Sequence, residues 1–272
     1  MEDFTIAIYC FVDDYLKIGH PKAGFRRKLN DAQIITTALV AARYFSGNFV
    51  KARLYLREVH QFDFPDKSNF NRHLHRLACT ISSLFLALGQ TLKELNLSSQ
   101  YMIDSFPVAV CKNIRIKRCK LLKHKAYRGK NLSKREYFYG FKVQVITTLD
   151  GLPVQYFICA GAYHDITAFK SMNIDLPQGS ELYADSAYTD YKVEDYYKEL
   201  EHIHLLAVRK SNSKRPDHPA VDYIKKVMRK RIETTFSEIT AFFPSKIHAV
   251  TIQGFLLKVI LFIFAFTIDK SL

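Results

Sequence analysis

The sequence predicts an α/β fold: a mixed sheet flanked by helices, preceded by an N-terminal helical domain. Three observations predict it. Residues 1–97 carry helical spacing and helix-end signals. From residue 99 the order of segments is strand, strand, strand, helix, strand, helix, strand, helix. The second and third strands form a tight hairpin, whereas the later strands are separated by helices, which favours parallel pairing. The texture changes near Ser98, so the expected division is 1–97 and 98–272.

Each element has its own signal. LNDAQIITTALVAARYFSG, from Leu29, reads as a helix: Asn30 can cap it and Gln33 holds the capping-box position. Leu29 and Ile34 are placed for a hydrophobic staple, and Gly47 follows the last turn. Residues 49–60 read as a second helix with Val50, Leu54 and Tyr55 inward. SNFNRHLHRL puts Phe70, Leu74 and Leu77 on one stripe, with Asn69, Arg72, His73 and Arg76 off it. A basic face on a small helix suits a helix-turn-helix-like DNA reader, and it equally suits a solvated surface.

Residues 99–104 read as a strand. Residues 112–135 hold eleven Lys or Arg and no acid, which predicts a loop or arm. Residues 137–161 read as the hairpin: Val143, Val145 and Thr147 alternate with polar residues, Asp150-Gly151 turns, and Val154, Tyr156 and Ile158 resume the alternation. Asp165 reads as the cap of a helix in HDITAFKSM. ELYADSAY is a short apolar strand that ends in Asp185. An amphipathic helix that starts at the Asp190 cap follows over 190–200, then a strand over 203–209 and a basic loop, KSNSKRPDHP. A long helix over about 220–243 and an apolar helix over 254–268 close the chain. The apolar stretch is short for a bilayer span and carries Lys258, so it is expected in a core and not in a membrane.

Composition narrows the function. The formal charge is +14, which points to a polyanionic partner, nucleic acid before an anionic membrane. MEDFTIAIYCFVDD has no preceding positive charge and no A-x-A site, so no signal peptide is expected. The five cysteines are scattered and odd in number, which fits reduced thiols in a cytoplasmic protein. Cys111, Cys119 and His124 lack the C-x-x-C knuckle of structural zinc sites.

The informative residues are acids in apolar settings. Asp104 interrupts SQYMIDSFPVAV, and Asp185 ends ELYADSAY. A buried carboxylate without a partner is very costly. In open α/β sheets, ligands gather beyond the carboxyl ends of strands. If the two strands are neighbours, the carboxylates sit side by side and need a neutraliser, and a divalent cation is the natural one. The long helix offers Glu233 and Glu238, which lie about 140° apart and cannot share one site. Glu233 borders the apolar face of Ile232, Phe236 and Ile239, with Arg229 four residues before it, so position favours Glu233. Three carboxylates on separate elements can hold two Mg²⁺ ions about 4 Å apart, a pair that serves phosphodiester chemistry. His164 beside Asp165 lacks the G-x-S-x-G elbow of a serine hydrolase.

With these residues in view, IDSFPVAVCKNIRIKRCK, REYFYGFKVQVITTLDGLPV, ELYADSAYTD, RKSNSKRP, RKRIETTFSEI and FPSKIHAVTIQGFLLKV resemble DDE transposases of the 982 family of bacterial insertion sequences. LNDAQIITTAL and SNFNRHLHRL resemble that family's helical leader, and the resemblance runs from about residue 25 to the C-terminus. It implies a ribonuclease-H-like core, a triad of Asp104, Asp185 and Glu233, Mg²⁺ or Mn²⁺ as a pair of ions, and double-stranded DNA as partner. It also implies a homo-oligomer on DNA, and with it a nucleoid-associated place in the cytoplasm. Arg229-x-x-x-Glu233 resembles part of a signature of related transposases, whose tyrosine and lysine are replaced here by Lys226 and Thr240.

Phosphate contacts are expected from Arg115, Lys117, Arg118, Lys120 and Lys123 of the basic arm, since eleven like charges repel without a polyanion. Arg209, Lys210, Lys214 and Arg215 of the second loop are the next candidates, with Arg229, Arg72 and Arg76 on helices. Two rival functions share this surface: a DNA-binding protein that has lost catalysis, and a metal-dependent nuclease without strand transfer.

Overall fold

The structure is a computed structural model that describes residues 1–19, 28–131 and 136–272. In chain order the elements are α1 (Glu2–Gly19), α2 (Asp31–Tyr44), α3 (Phe49–His60), α4 (Lys67–Arg76), α5 (Ala78–Leu95) and β1 (Gln100–Lys112). Then come β2 (Arg128–Asn131), β3 (Glu136–Thr148), β4 (Pro153–Ala160), α6 (Asp165–Ser171), β5 (Glu181–Ala184) and α7 (Tyr191–Leu200). The chain ends with β6 (His204–Ala207), α8 (Pro219–Phe242) and α9 (Ile252–Ser271). It divides into two compact units, one of residues 1–87 with 242–272 and the other of residues 88–241. The sequence division at 97/98 grouped the C-terminal helix with the sheet. In the structure that helix packs with the N-terminal helices instead.

The helical unit is built around α9. This helix is apolar on all sides, and such a helix must be covered on all sides. Residues Leu261 to Ile268 are all buried, and Phe264 meets the rings of Phe11 and Phe85 at 6.3 and 5.8 Å. By length and composition α9 alone among the described residues could cross a membrane, and 61% of the stretch is buried in the protein. The capping box of α2 is formed: Gln33 N–H donates to Asn30 Oδ1 at 2.7 Å, and Asn30 N–H to Gln33 Oε1 at 2.9 Å. Such a cap stabilises a helix by about 1 kcal/mol. The inward face of α3 differs from expectation. Val50 and Leu54 are 47% and 49% exposed, whereas Ala52 and Leu56 are fully buried. The small Ala52 lets α3 approach Val40 and Ala41 of α2, and that contact rotates the larger residues outward.

In the second unit the sheet order is β2-β3-β1-β5-β6, with β4 also paired to β3. β1 runs antiparallel to β3, while β5 is parallel to both β1 and β6. β1 extends well past residue 104, so Asp104 lies inside a strand and not at its end. The reason is register. β1 pairs with β5 only through Ile103–Ala184, then continues against β3 as far as Lys112–Phe138. Pro107 has no N–H to give, and it is tolerated where β1 has a single neighbour. Val143, Gln144, Val145, Ile146 and Thr147 are all fully buried, so β3 is covered on both faces instead of one. The basic arm is more ordered than a loop: Asn113–Arg118 forms a 3₁₀ turn and Arg128–Asn131 pairs with β3. Its residues 132–135 lie outside the described residues. Gly89 of α5 lets the helix lie against β4, because a Cβ there would meet Val154 O at 2.2 Å.

Candidate active site

The parallel register of β1 and β5 builds the site. Ile103 pairs with Ala184, so Asp104 follows that pair within β1 and Asp185 follows it just past the end of β5. Asp104 Oδ1 accepts the backbone N–H of Ser105 at 2.7 Å. Burial pushes the Asp104 carboxyl up to about 7, and the charges of Asp185, Asp165 and Glu233 add to the rise against the Ser105 hydrogen bond. Asp185 caps the 3₁₀ turn Ser186–Tyr188, its Oδ1 accepting from Ala187 N–H at 2.8 Å. Burial raises its carboxyl as well. The Ala187 bond opposes that, Asp165 reinforces it, and the cations of Arg229 and Lys210 oppose it. From α8, the charge of Glu233 reaches Asp104. Glu233 Oε1 accepts from Arg229 Nε at 3.1 Å, and the Glu233 side chain is 62% exposed.

A fourth carboxylate borders the site. The cap of α6 is His164 and not Asp165. Asp165 occupies the first helical position, and its carboxylate turns to the sheet. There Oδ1 accepts from Ser105 Oγ at 2.5 Å and from Lys142 Nζ at 3.1 Å. No local signal in the sequence sets Asp165 apart from an ordinary helix start.

The second basic loop is in large part a structural clamp. Arg209 donates twice to Glu194, both bonds at 2.6 Å, and both side chains are nearly buried. Asp217 accepts from the buried Lys225 at 2.7 Å. Arg215 forms a forked pair with Asp195 at 2.7 and 3.0 Å and lies over the Tyr191 ring. Arg209 and Arg215 are therefore committed to acids within the fold, contrary to the expectation of phosphate contact. Lys210 and Arg229 remain exposed beside Asp185. Arg115, Lys117, Arg118, Lys120 and Lys123 are also exposed. Arg72 is exposed and donates to Asn69 Oδ1 at 2.5 Å, and Arg76 is exposed.

The donor set of Asp104, Asp185 and Glu233 is all carboxylate oxygen, which suits Mg²⁺ or Mn²⁺. The two aspartates fit such an ion best, since their mutual repulsion is what a cation would relieve. Among the described residues no three His, Cys, Asp or Glu side chains already converge as a metal cage. The five cysteines are free thiols.

A family model described as a transposase DDE domain matches residues 96–248. No curated protein and no solved structure matches the chain.

Proposed function

The chain belongs to the transposase DDE domain family, and from that premise we propose that it is an insertion-sequence transposase with a ribonuclease-H-like core. Its active site is Asp104, Asp185 and Glu233. The observation that carries this reading is the parallel register that ends in Ile103–Ala184, with Asp104 and Asp185 each the next residue and the charges of Asp185 and Glu233 felt at Asp104.

The proposed reaction is hydrolysis of a phosphodiester at an element end, which frees a 3′-OH and leaves a 5′-phosphate, followed by attack of that 3′-OH on a target phosphodiester, which joins the strands and releases the target's own 3′-OH. Asp104 and Asp185 would hold Mg²⁺ or Mn²⁺, with Glu233 as the third ligand. The bound ions would activate the attacking oxygen and neutralise charge on the leaving one. Ser105 N–H orients the Asp104 carboxylate. Arg229 and Lys210 bring positive charge to Asp185, where they would hold phosphate oxygens. The exposed cations of the arm would follow the DNA backbone, contacts that position DNA and weaken with salt. Oligomerisation on DNA belongs to the same proposal.

The test mixes purified protein with DNA carrying the gene's own flanking ends, in Mg²⁺, Mn²⁺ or EDTA. The expected result is metal-dependent nicking or end joining that Asp185→Asn abolishes. Specific binding without cleavage by the wild type in either metal would overturn the catalytic reading in favour of a DNA-binding protein. Transfer of a labelled 3′-OH end separates a transposase from a nuclease.

A further inference from the structure

The helical unit contains a cavity of about 600 Å³ between the start of α3, one face of α4 and the start of α9. That volume lies within the range of about 300–1,000 Å³ typical of ligand clefts. Among the described residues that line it, none is acidic, while Arg53, Lys67 and Lys258 bring three cations and His75 and His248 two imidazoles. Two of the cations are held in place. Lys258 Nζ donates to His248 O at 2.8 Å and lies 4.8 Å from the Phe49 ring centroid. Arg53 stacks on the rings of Phe64 and Phe70, and its Nε is buried without a partner among the described residues. Val50, 47% exposed, and Val250, 96% exposed, give the lining an apolar lip. Gly254 keeps the floor open, since a Cβ there would press on the His75 ring at 3.3 Å.

The opposite side of α4 is differently charged. There a smaller cleft is lined by Lys28, Asn69, His73 and Arg76 but also by Asp66. His73 lies 2.7 Å from Asp31, and Lys28 lies 3.4 Å from Asp63. The Arg72–Arg76 side therefore has acids in and beside its cleft, whereas no acid lines the Lys67–His75 side, where Arg53 feels the charge of Asp66 and donates to Pro65 O.

We propose that the Arg53–Lys67–Lys258 cavity binds a DNA strand, its cations on successive phosphates and its apolar lip against sugar and base. Charge selects the occupant: an acid-free cationic cavity with apolar walls, in a chain of net charge +14, matches a polyanion that also offers flat apolar faces. The proposal rests on the transposase reading only for the choice of DNA as the polyanion. It moves the expected contact of the helical unit from one side of α4 to the other.

The experiment measures binding of the full chain to a labelled duplex carrying the gene's flanking end, and to each of its single strands. EDTA is present throughout, so cleavage plays no part. Lys67→Glu and Val250→Glu change exposed positions, and circular dichroism checks that both fold. Each is expected to lose at least about tenfold in affinity, and Lys67→Ala to lower the slope of log K against log salt by about one. Lys67→Arg is expected to keep both. Affinity within twofold of wild type in both Glu variants would overturn the proposal. So would losses confined to Arg72→Glu and Arg76→Glu. A protein that binds through this cavity yet never nicks DNA would refute the catalytic reading and leave the cavity assignment standing.

Discussion

Replacing Asp104 by Asn should stabilise the metal-free protein, and only at neutral and alkaline pH. The Asp104 carboxyl stands at about 7 against an ordinary value of 3.8, chiefly because it is buried. The folded state thus holds its proton more tightly than the unfolded chain does. Between pH 4 and 7 the unfolded chain loses this proton first, so stability falls as pH rises through that window. The difference of about 3 pH units corresponds to at most about 4 kcal/mol lost by the wild type above pH 7. Asparagine carries no charge and still offers Oδ1 to Ser105 N–H. Urea unfolding in EDTA, followed by tyrosine fluorescence, reads the effect. With a slope of about 2–3 kcal/mol/M, the midpoint at pH 8 should rise by about 0.5–1.5 M. At pH 4 the gain should shrink below about 1 kcal/mol. An Asn variant that is less stable at pH 8, or equally stabilised at both pH values, would refute the electrostatic account.

Four further outcomes test other parts of the molecule. Mg²⁺ or Mn²⁺ at about ten times its dissociation constant should stabilise the wild type by about 1.4 kcal/mol, read as a rise of roughly 2–4 °C per kcal/mol, and Asp185→Asn should lose most of that rise. Asp217→Asn strips the partner from the buried Lys225 ammonium and should cost about 3–5 kcal/mol in urea unfolding, more than the Asp217→Leu, Lys225→Met pair replaced together. Arg215→Ala should change DNA affinity less than twofold, because its guanidinium is committed to Asp195, whereas Arg115→Ala should weaken binding and flatten its salt dependence. Gly89→Ala forces a Cβ against Val154 O and should destabilise well beyond the usual few tenths of a kcal/mol for an exposed substitution, measured by thermal melting.

The fold was legible where the signal was local. The Asn30–Gln33 box, the Asp150-Gly151 turn and the Asp190 cap are read from neighbours in sequence, and each is formed as read. The inward side of α3 was not legible, because Ala52 and Leu56 owe their burial to α2 and not to their own periodicity. The length of β1 was hidden for a similar reason. Residues past Asp104 have lost β5 as a neighbour, and the pairing with β3, far along the chain, is what holds them in the sheet.

The acids divide the same way. Asp104 and Asp185 were legible because each breaks an apolar run, and a carboxylate in such a run demands a partner wherever the strand ends up. The pairing of Glu233 with Arg229 was legible from their spacing on α8. Asp165 was not, because its partners Ser105 and Lys142 lie 60 and 23 residues away. The basic loop misled for the same reason. A run such as Arg209 to Arg215 advertises charge but not the acids that answer it, and Glu194 and Asp195 stand 15 and 20 residues upstream on α7. Charge counted along a chain therefore overstates the charge available to DNA. What is left for DNA is narrower and better placed: Lys210 beside Asp185, Arg229 there through a half-exposed pair with Glu233, and the exposed cations of the arm.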